Sequence, residues 1–246
     1  MSIPIEIITQ AAYFVYMESD FERRTMRKLE DAARVCYKSE NKKTESLQSA
    51  EKLVRKCIER GHESVIEHSS LTAYIVTNRA IANEIVRHRL ASYSQESTRY
   101  VRYSNRMTFV YPMPPSGRTE SLNLEAGEAL KDTLDRVERK YIAACQDAAQ
   151  GYADLLREGM APQTARDLLP LGLKTELYMT ANLRQWRHIF KLRLAPNAHP
   201  QIRELFYPLL ETLHTVLPAV FDDIPLPVDL ARNPPKTRCP QTIYAE

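Results

Sequence analysis

Alternating apolar and polar positions predict three short β-strands in this chain of 246 residues. Pro4–Thr9 alternates β-branched residues with other side chains, as a half-buried strand does. Leu71–Thr77 is the clearest candidate, because its sequence LTAYIVT is rich in β-branched and aromatic residues. Met107–Tyr111 is the third, and Pro112, which cannot donate to a sheet ladder, should end it. These segments predict a small amount of sheet.

Amphipathic and charged segments predict a larger number of helices. We expect helices over Asp20–Tyr37, Ser46–Arg60, Arg79–Arg89, Leu124–Glu158, Thr175–Leu194 and Pro200–Val216. Gly61 should end the second of them, and Pro162 suits the first position of a short helix that Pro170 ends. Ser116–Asn123 and the proline-rich tail from Pro225 are expected to be irregular. A few strands among many helices predict an α+β (mixed α/β) fold, with a small central sheet flanked by helices.

Length, charge and cysteine content narrow the class of protein. The chain is long enough for a sizeable core and is expected to form one domain over residues 1–246. A net charge of +3 is too small for a protein that chiefly coats nucleic acid. The apolar runs are too short for a membrane span and the first residues show no signal peptide, so we expect a cytoplasmic protein. Cys36, Cys57, Cys145 and Cys239 form no CxxC pair and are expected to be reduced thiols.

The segment from Arg87 to Arg99 has the strongest chemical pattern. Its sequence, RHRLASYSQESTR, places three arginines, one histidine and three serines within thirteen residues. A guanidinium group is a planar fork that binds phosphates and carboxylates through two hydrogen bonds, whereas an ammonium group is a point charge. The hydroxyl groups and the Gln95 amide can add neutral hydrogen bonds. This composition predicts a site that orients planar, anionic ligands.

A solvated helix face is the simplest alternative explanation of such a charged run. Arg87 and Arg89 are too close in sequence to share one helix face, which argues against a surface stripe. The polar run Ser92–Thr98 departs from helical periodicity, as expected of a loop that presents groups to a ligand. A nucleic-acid-binding module is a further alternative, because arginine and tyrosine interleave in Arg99–Tyr103. Acidic residues within the patch and the small net charge count against it.

Two other segments carry weaker signals. Gly61–His68 contains two histidines and two glutamates, but its histidines are six residues apart rather than the four of a helical zinc motif, so we predict no metal. On the helix predicted over Thr175–Leu194, Arg184 and His188 are four residues apart and should share one face. By itself, that pattern is more typical of a solvated helix face than of a ligand site.

The pattern RHRxxSxxxxSxR resembles the signature of the flavin-dependent thymidylate synthases. The six defined positions are filled by Arg87, His88, Arg89, Ser92, Ser97 and Arg99. Other blocks resemble this family in the family's own order, namely Ala32–Tyr37, Gly61–His68, Ala165–Pro170 and Asn182–Arg184 with His188, Arg193 and His199. The resemblance covers most of the chain. It implies the thymidylate synthase-complementing fold and a homotetramer with active sites shared between subunits.

The resemblance also implies a reaction and its ligands. The enzyme would methylate dUMP reductively to dTMP, with FAD as cofactor and with NADPH and methylenetetrahydrofolate as co-substrates. The implied cofactor-binding residues are Ser64, Arg87, His88, Arg89, Gln95, Asn182, Arg184 and His188. The implied substrate-binding residues are Glu84, Arg87, Gln95, Glu96, Ser97, Arg99, Arg166 and Arg193. A flavoprotein that does not transform dUMP remains an alternative.

Arg193 is the residue that the resemblance implies to be catalytic. We hypothesise that its guanidinium stabilises negative charge on the pyrimidine as N3 ionises, so that no cysteine nucleophile is needed. Ser97 is expected to form a hydrogen bond to the phosphate or base rather than to act as a nucleophile. A serine nucleophile needs a base, and His88 is nine residues away with no pattern that brings the two together.

Overall fold

A computed structural model of the chain describes residues 3–36, 38–112, 122–124 and 134–232. Helices and two small sheets make up the fold, which confirms the predicted mixed class. The chain divides into two compact units, the first formed by residues 1–10, 76–85 and 94–177 and the second by the remainder. The expectation of one domain over the whole chain stays a prediction. None of the helices within the described residues is both long and apolar enough to cross a membrane.

A three-stranded sheet and one long helix form the core of the first unit. Strand β1 (Ile5–Ile8) pairs in parallel with β5 (Met107–Val110) and antiparallel with β6 (Leu122–Leu124). Helix α4 (Arg136–Arg157) begins with a capping box between Asp135 and Glu138. The residues that α4 buries are spaced three or four apart, as on one helix face, and include Ile142, Cys145, Ala149, Tyr152 and Leu156.

Most helices belong to the second unit. They are α1 (Phe21–Val35), α2 (Leu47–Glu59), α6 (Leu183–Arg193), α7 (Pro200–Val216), α8 (Pro218–Phe221) and α9 (Val228–Arg232), with a 3₁₀ helix over Glu63–His68. Aromatic rings fill the interior, where Phe190 contacts Trp186, Phe206 and Phe221. The indole Nε1 of the fully buried Trp186 donates to the carbonyl oxygen of Leu71 at 3.1 Å. This core fixes α6, which bears several of the predicted site residues.

The second sheet has the strand order β2-β3-β7-β4. These strands span Ala11–Val15, Ser70–Asn78, Lys174–Asn182 and Ser92–Gln95, respectively. Strand β3 confirms the strand predicted at Leu71–Thr77, whereas β2 was missed. The short helix α3 (Arg79–Ile85) follows β3 and starts where Asn78 Oδ1 accepts the Ile81 N–H at 2.8 Å.

The prediction of a helix over Thr175–Leu194 is wrong in its first half. Residues Lys174–Asn182 form β7, and only Leu183–Arg193 form helix α6. In β7 every second side chain is buried, beginning with Thr175 and Leu177. The period of two places apolar residues on one sheet face, and pairing with neighbouring strands outweighs the local helical tendency.

Other boundaries also differ from the predictions. Helix α3 ends at Ile85, four residues before the predicted end at Arg89, so the signature arginines lie beyond the helix. The expected loop Ser92–Thr98 begins with strand β4, and Asn123, expected in a loop, lies in β6. The long helix predicted from Leu124 begins only at Arg136, the tail contains α9, and residues 113–121, 125–133 and 233–246 lie outside the described residues.

Several boundaries confirm the predictions. Strands β1 and β5 and helices α1 and α7 fall where they were expected, and Pro162 occupies the first turn of α5 (Pro162–Ala165). Helix α2 ends at Glu59, and Gly61 has a φ of 75°, a left-handed conformation that glycine adopts at little cost.

Candidate active site

The predicted site residues separate between the two units largely by their implied role. Those in the second unit are Ser64, Arg87, His88, Arg89, Asn182, Arg184, His188 and Arg193, most of them implied to bind the cofactor. Those in the first unit are Glu84, Gln95, Glu96, Ser97, Arg99 and Arg166, all of them implied to bind the substrate. Each unit therefore presents its own set of candidate side chains.

A cavity of about 720 Å³ in the second unit brings three of the candidates together. Asn182, Arg184 and His188 line it, because they lie on the cap and the exposed face of the first two turns of α6. Sequence reasoning missed the other lining residues, which are Glu63, Glu67, Leu90, Gln185 and Lys191. The two glutamates belong to the Gly61–His68 block, which was the available signal.

Asn182 connects the end of β7 to the start of α6. Its side-chain Oδ1 accepts the Gln185 N–H at 2.8 Å, so the carbonyl oxygen caps the helix. Its amide nitrogen is the side-chain group that can donate to a ligand. The N-terminal end of an eleven-residue helix also favours negative charge.

Arg184 is held at the cavity by two carboxylates. Its guanidinium donates to Glu67 at 2.5 Å and lies 3.4 Å from a carboxylate oxygen of Glu63. The hydrogen bond to Glu67 is the first cause that raises the pKa of Arg184 above its usual range. A ligand oxygen that binds Arg184 must therefore share the guanidinium with Glu67.

His88, His188 and Arg193 form a second cluster in the same unit. Arg193 Nε donates to His88 Nε2 at 2.8 Å, across 105 positions of sequence. The rings of His88 and His188 meet edge to face with centroids 6.4 Å apart. Burial, followed by the charge of Arg193 and the proximity of His188, lowers the pKa of His88 to about 4. His88 is therefore a neutral acceptor at physiological pH.

The other candidates of this unit are exposed. Ser64 lies on the 3₁₀ helix Glu63–His68, and Arg87 and Arg89 follow the end of α3. Their side chains are accessible to a ligand, in contrast to the buried ring of His88.

In the first unit, the end of the signature forms a compact turn. The N–H groups of Tyr100 and Val101 donate to the Ser97 carbonyl oxygen at 3.1 and 2.9 Å. Ser97 Oγ accepts the Arg99 N–H at 3.3 Å, and the Arg99 guanidinium lies 5.5 Å from the centroid of the Tyr100 ring. The turn presents the exposed Arg99 next to a serine hydroxyl.

Arg166 reaches the same turn from a distant part of the chain. Its Nη1 donates to Thr98 Oγ1 at 3.4 Å, although the two residues are 68 positions apart. Arg166 begins a 3₁₀ helix over Arg166–Leu168, directly after α5. The fold thus places Arg99 and Arg166, two of the four arginines implied to bind substrate, at one turn of the first unit.

Gln95 and Glu96 are engaged in contacts within the first unit. Gln95 Nε2 donates to Thr175 Oγ1 at 3.1 Å. Glu96 accepts the Tyr103 hydroxyl at 2.5 Å and lies 3.3 Å from Lys174 Nζ. Burial first, and then the bond to Glu96, raise the pKa of Tyr103. These contacts attach the signature to β7, while the implied roles of Gln95 and Glu96 in substrate binding stay predictions.

The described residues contain no group of three or more His, Cys, Asp or Glu side chains that could hold a metal ion. His62 and His68 lie at opposite ends of the 3₁₀ helix region, and both are exposed. Glu84 lies half-buried on α3, within the first unit.

Comparisons with known proteins identify the family of this chain. The family model described as "Thymidylate synthase complementing protein" matches residues 20–219. Flavin-dependent thymidylate synthases from Mycobacterium tuberculosis and from Mycobacterium sp. strain JLS are each 35% identical, covering 79% of this chain and 78% of their own length.

Solved structures share the fold. The UMP/dUMP methylase PolB from Streptomyces cacaoi bound with 5-Br dUMP gives a TM-score of 0.67 at 23% identity, covering 88% of this chain and 95% of that chain. The same protein bound with 5-Br UMP gives a TM-score of 0.66 at 24% identity, with coverage of 89% and 95%. The fold is therefore that of the thymidylate synthase complementing proteins. With its relatives, the chain belongs to the flavin-dependent thymidylate synthase family.

Proposed function

We propose that this chain converts dUMP to dTMP by reductive methylation. Methylenetetrahydrofolate supplies the one-carbon unit and leaves as tetrahydrofolate, and NADPH reduces the FAD cofactor. The observation that supports this most is the complete RHRxxSxxxxSxR signature on a chain 35% identical to flavin-dependent thymidylate synthases. The cluster of His88, His188 and Arg193 adds support, because the fold brings together site candidates from separate blocks.

The cavity residues fit a flavin. A volume of about 720 Å³ lies within the range of cofactor pockets. Asn182, Arg184 and His188 offer amide, guanidinium and imidazole groups to ring carbonyls or phosphates, next to the N-terminus of α6. When bound, FAD supplies the hydride chemistry, and the protein residues supply binding and orientation.

The turn at Ser97–Arg99, together with Arg166, fits the phosphate of dUMP. Two guanidinium groups and a serine hydroxyl are the groups that proteins use to hold a phosphate dianion. In this proposal Arg193 acts on the pyrimidine, where its positive charge favours ionisation at N3 and makes C5 electron-rich. A fixed cation in a water-poor site can supply on the order of several kcal/mol of such stabilisation.

Cys57 and Cys145 are poor candidates for a nucleophile. A nucleophilic cysteine needs a lowered pKa and an accessible position. Burial raises the pKa of Cys57 and raises that of Cys145 to about 12, and both are buried. Cys36 is exposed at the end of α1, and Cys239 lies outside the described residues. This environment favours activation of the pyrimidine by charge.

Release of tritium from dUMP labelled at C5 tests the proposed function. We expect release together with dTMP when FAD, NADPH and methylenetetrahydrofolate are all present, and none when FAD or NADPH is omitted. A protein that binds FAD but releases no tritium would be a flavoprotein of another kind. A protein with neither property, whose binding of single-stranded nucleic acid weakens steeply with salt, would support the nucleic-acid alternative.

Arg166→Ala should weaken dUMP binding about 10- to 100-fold, because it removes a charged hydrogen bond to the phosphate. Calorimetric titration with dUMP measures this without turnover. The matched control is Arg157→Ala. It removes an exposed arginine of α4 that pairs with Asp154 of that helix. Equal dUMP affinity in both variants would remove Arg166 from the phosphate site.

The assembly and location are also proposals. The family suggests a homotetramer with shared active sites in the cytoplasm. Sedimentation of the purified protein would separate a tetramer from a monomer of 28.4 kDa.

A further inference from the structure

His88 occupies a different environment from the arginines on either side of it. His88 is only 6% exposed to solvent, whereas Arg87 and Arg89 are exposed. Its Nε2 accepts the Nε–H of Arg193 at 2.8 Å. Nε2 of His88 is therefore engaged by Arg193.

The backbone of His88 is held as well as its ring. The Tyr93 hydroxyl donates to the His88 carbonyl oxygen at 2.9 Å. His188 lies on α6, before Arg193 at the end of that helix, and its ring contacts the His88 ring edge to face. The backbone of His88 is thus held from β4, and its imidazole is held from α6.

The bond from Nε determines how the guanidinium of Arg193 is oriented. Arginine has a long side chain with about 2 kcal/mol of rotamer entropy, so an unheld guanidinium samples many orientations. Fixing Nε defines the plane that also contains both Nη nitrogens. Small errors in the placement of a catalytic group cost large factors in rate.

We propose that His88 is a positioning residue that orients the guanidinium of Arg193 toward the pyrimidine. This proposal rests on the proposed function, in which Arg193 acts on dUMP. The family resemblance implied a cofactor role for His88, and the contact with Arg193 adds a second role.

Two substitutions separate the positioning role from a flavin contact. His88→Phe keeps a ring but removes the acceptor, whereas His88→Gln keeps an acceptor oxygen at a similar distance from the backbone. We expect His88→Phe to lower kcat about 10- to 100-fold, the loss for one hydrogen bond to a charged group. FAD affinity, measured by fluorescence titration, should change less than about threefold, and His88→Gln should recover most of kcat.

A double-mutant cycle tests the coupling to Arg193. In an Arg193→Lys background no Nε–H exists, so His88→Phe should cause little further loss of kcat. Additive losses, or an FAD-loaded His88→Phe enzyme with unchanged kcat and weakened FAD affinity, would overturn the proposal. His214→Gln is the matched control, because His214 Nε2 lies 3.0 Å from the Ile224 carbonyl oxygen and His214 is not among the candidate site residues.

The folding of each variant is checked by its thermal melting curve, and His88→Gln keeps the test decisive if His88→Phe does not fold. The proposed function is tested independently of this role, because it is contradicted only if the wild-type enzyme forms no dTMP. An active wild type with an unaffected, folded His88→Phe variant would reject only the role of His88.

Acid stability provides a readout that does not depend on turnover. The charged and titratable groups around the His88 ring are Arg193 and His188 on α6 and Tyr93 on β4. Because the folded protein lowers the pKa of His88 from 6.5 to about 4, the unfolded chain binds the proton first as the pH falls. Stability should therefore decline between pH 6.5 and 4, and this decline should be smaller in His88→Gln. Equal urea midpoints against pH in both proteins would overturn the assignment of a neutral acceptor.

Discussion

Arg193→Lys is expected to bind dUMP but to turn over about 10²- to 10³-fold more slowly than the wild type. Lysine keeps the positive charge, so attraction to the substrate remains. It loses the planar fork and the Nε–H that donates to His88 at 2.8 Å. The charge would then no longer be fixed where the pyrimidine becomes negative.

Steady-state kinetics and calorimetry together measure this outcome. The signature is a large loss of kcat with a KM and Kd for dUMP within about threefold of the wild type. Arg203→Lys is the control, because Arg203 is likewise held by side-chain hydrogen bonds, in its case two to the Asp229 carboxylate, each 2.8 Å long. Wild-type turnover by Arg193→Lys would remove Arg193 from the mechanism.

Glu30→Ala is expected to lower the free energy of unfolding by about 3–5 kcal/mol, the cost of breaking a buried ion pair. Glu30 is fully buried on α1 and accepts two hydrogen bonds from Arg34, at 2.9 and 2.6 Å. It also accepts from Arg27 at 2.8 Å, and Arg34 in turn donates to Ser49 on α2 at 2.8 Å. Removing the carboxylate leaves the guanidinium of Arg34 buried without its main partner.

The adjacent residue provides the control. Asp31 forms an ion pair with Lys43 at 2.6 Å, with both side chains well exposed to solvent. Asp31→Ala should change the free energy of unfolding by at most about 1 kcal/mol. Urea denaturation followed by circular dichroism compares the two variants. Similar losses in both would show that burial does not govern the strength of the Glu30 network.

The local sequence pattern was sufficient to predict those helices and strands for which residue type and periodicity indicate the same structure. Leu71–Thr77 combines β-branched residues with alternation, and it lies within β3. Gly61 marks a helix end because glycine adopts a left-handed conformation at little cost. Pro162 marks a helix start because proline restricts the backbone to a helical φ. Thr175–Leu194 failed because its first half has apolar residues that suit either period, and pairing within the sheet decides between them.

The candidate site shows the same division. The signature arginines and serines could be found in the sequence because the pattern is contiguous, and the family resemblance implied their roles. Glu63 and Glu67 lie in the Gly61–His68 block, but the sequence did not show that they meet Arg184, because they precede it by more than a hundred positions. Only a folded chain brings such carboxylates to one guanidinium.

The sequence by itself determined the family, the signature and the kinds of ligand that the arginines suit. These follow from residue types and short spacings, which the chain carries whether or not it is folded. The tertiary structure decided that His88 is buried, neutral and bonded to Arg193, and that Arg166 contacts the turn at Thr98. Burial and contacts between distant residues arise only when elements pack, because desolvation and hydrogen-bond geometry are properties of the assembled core.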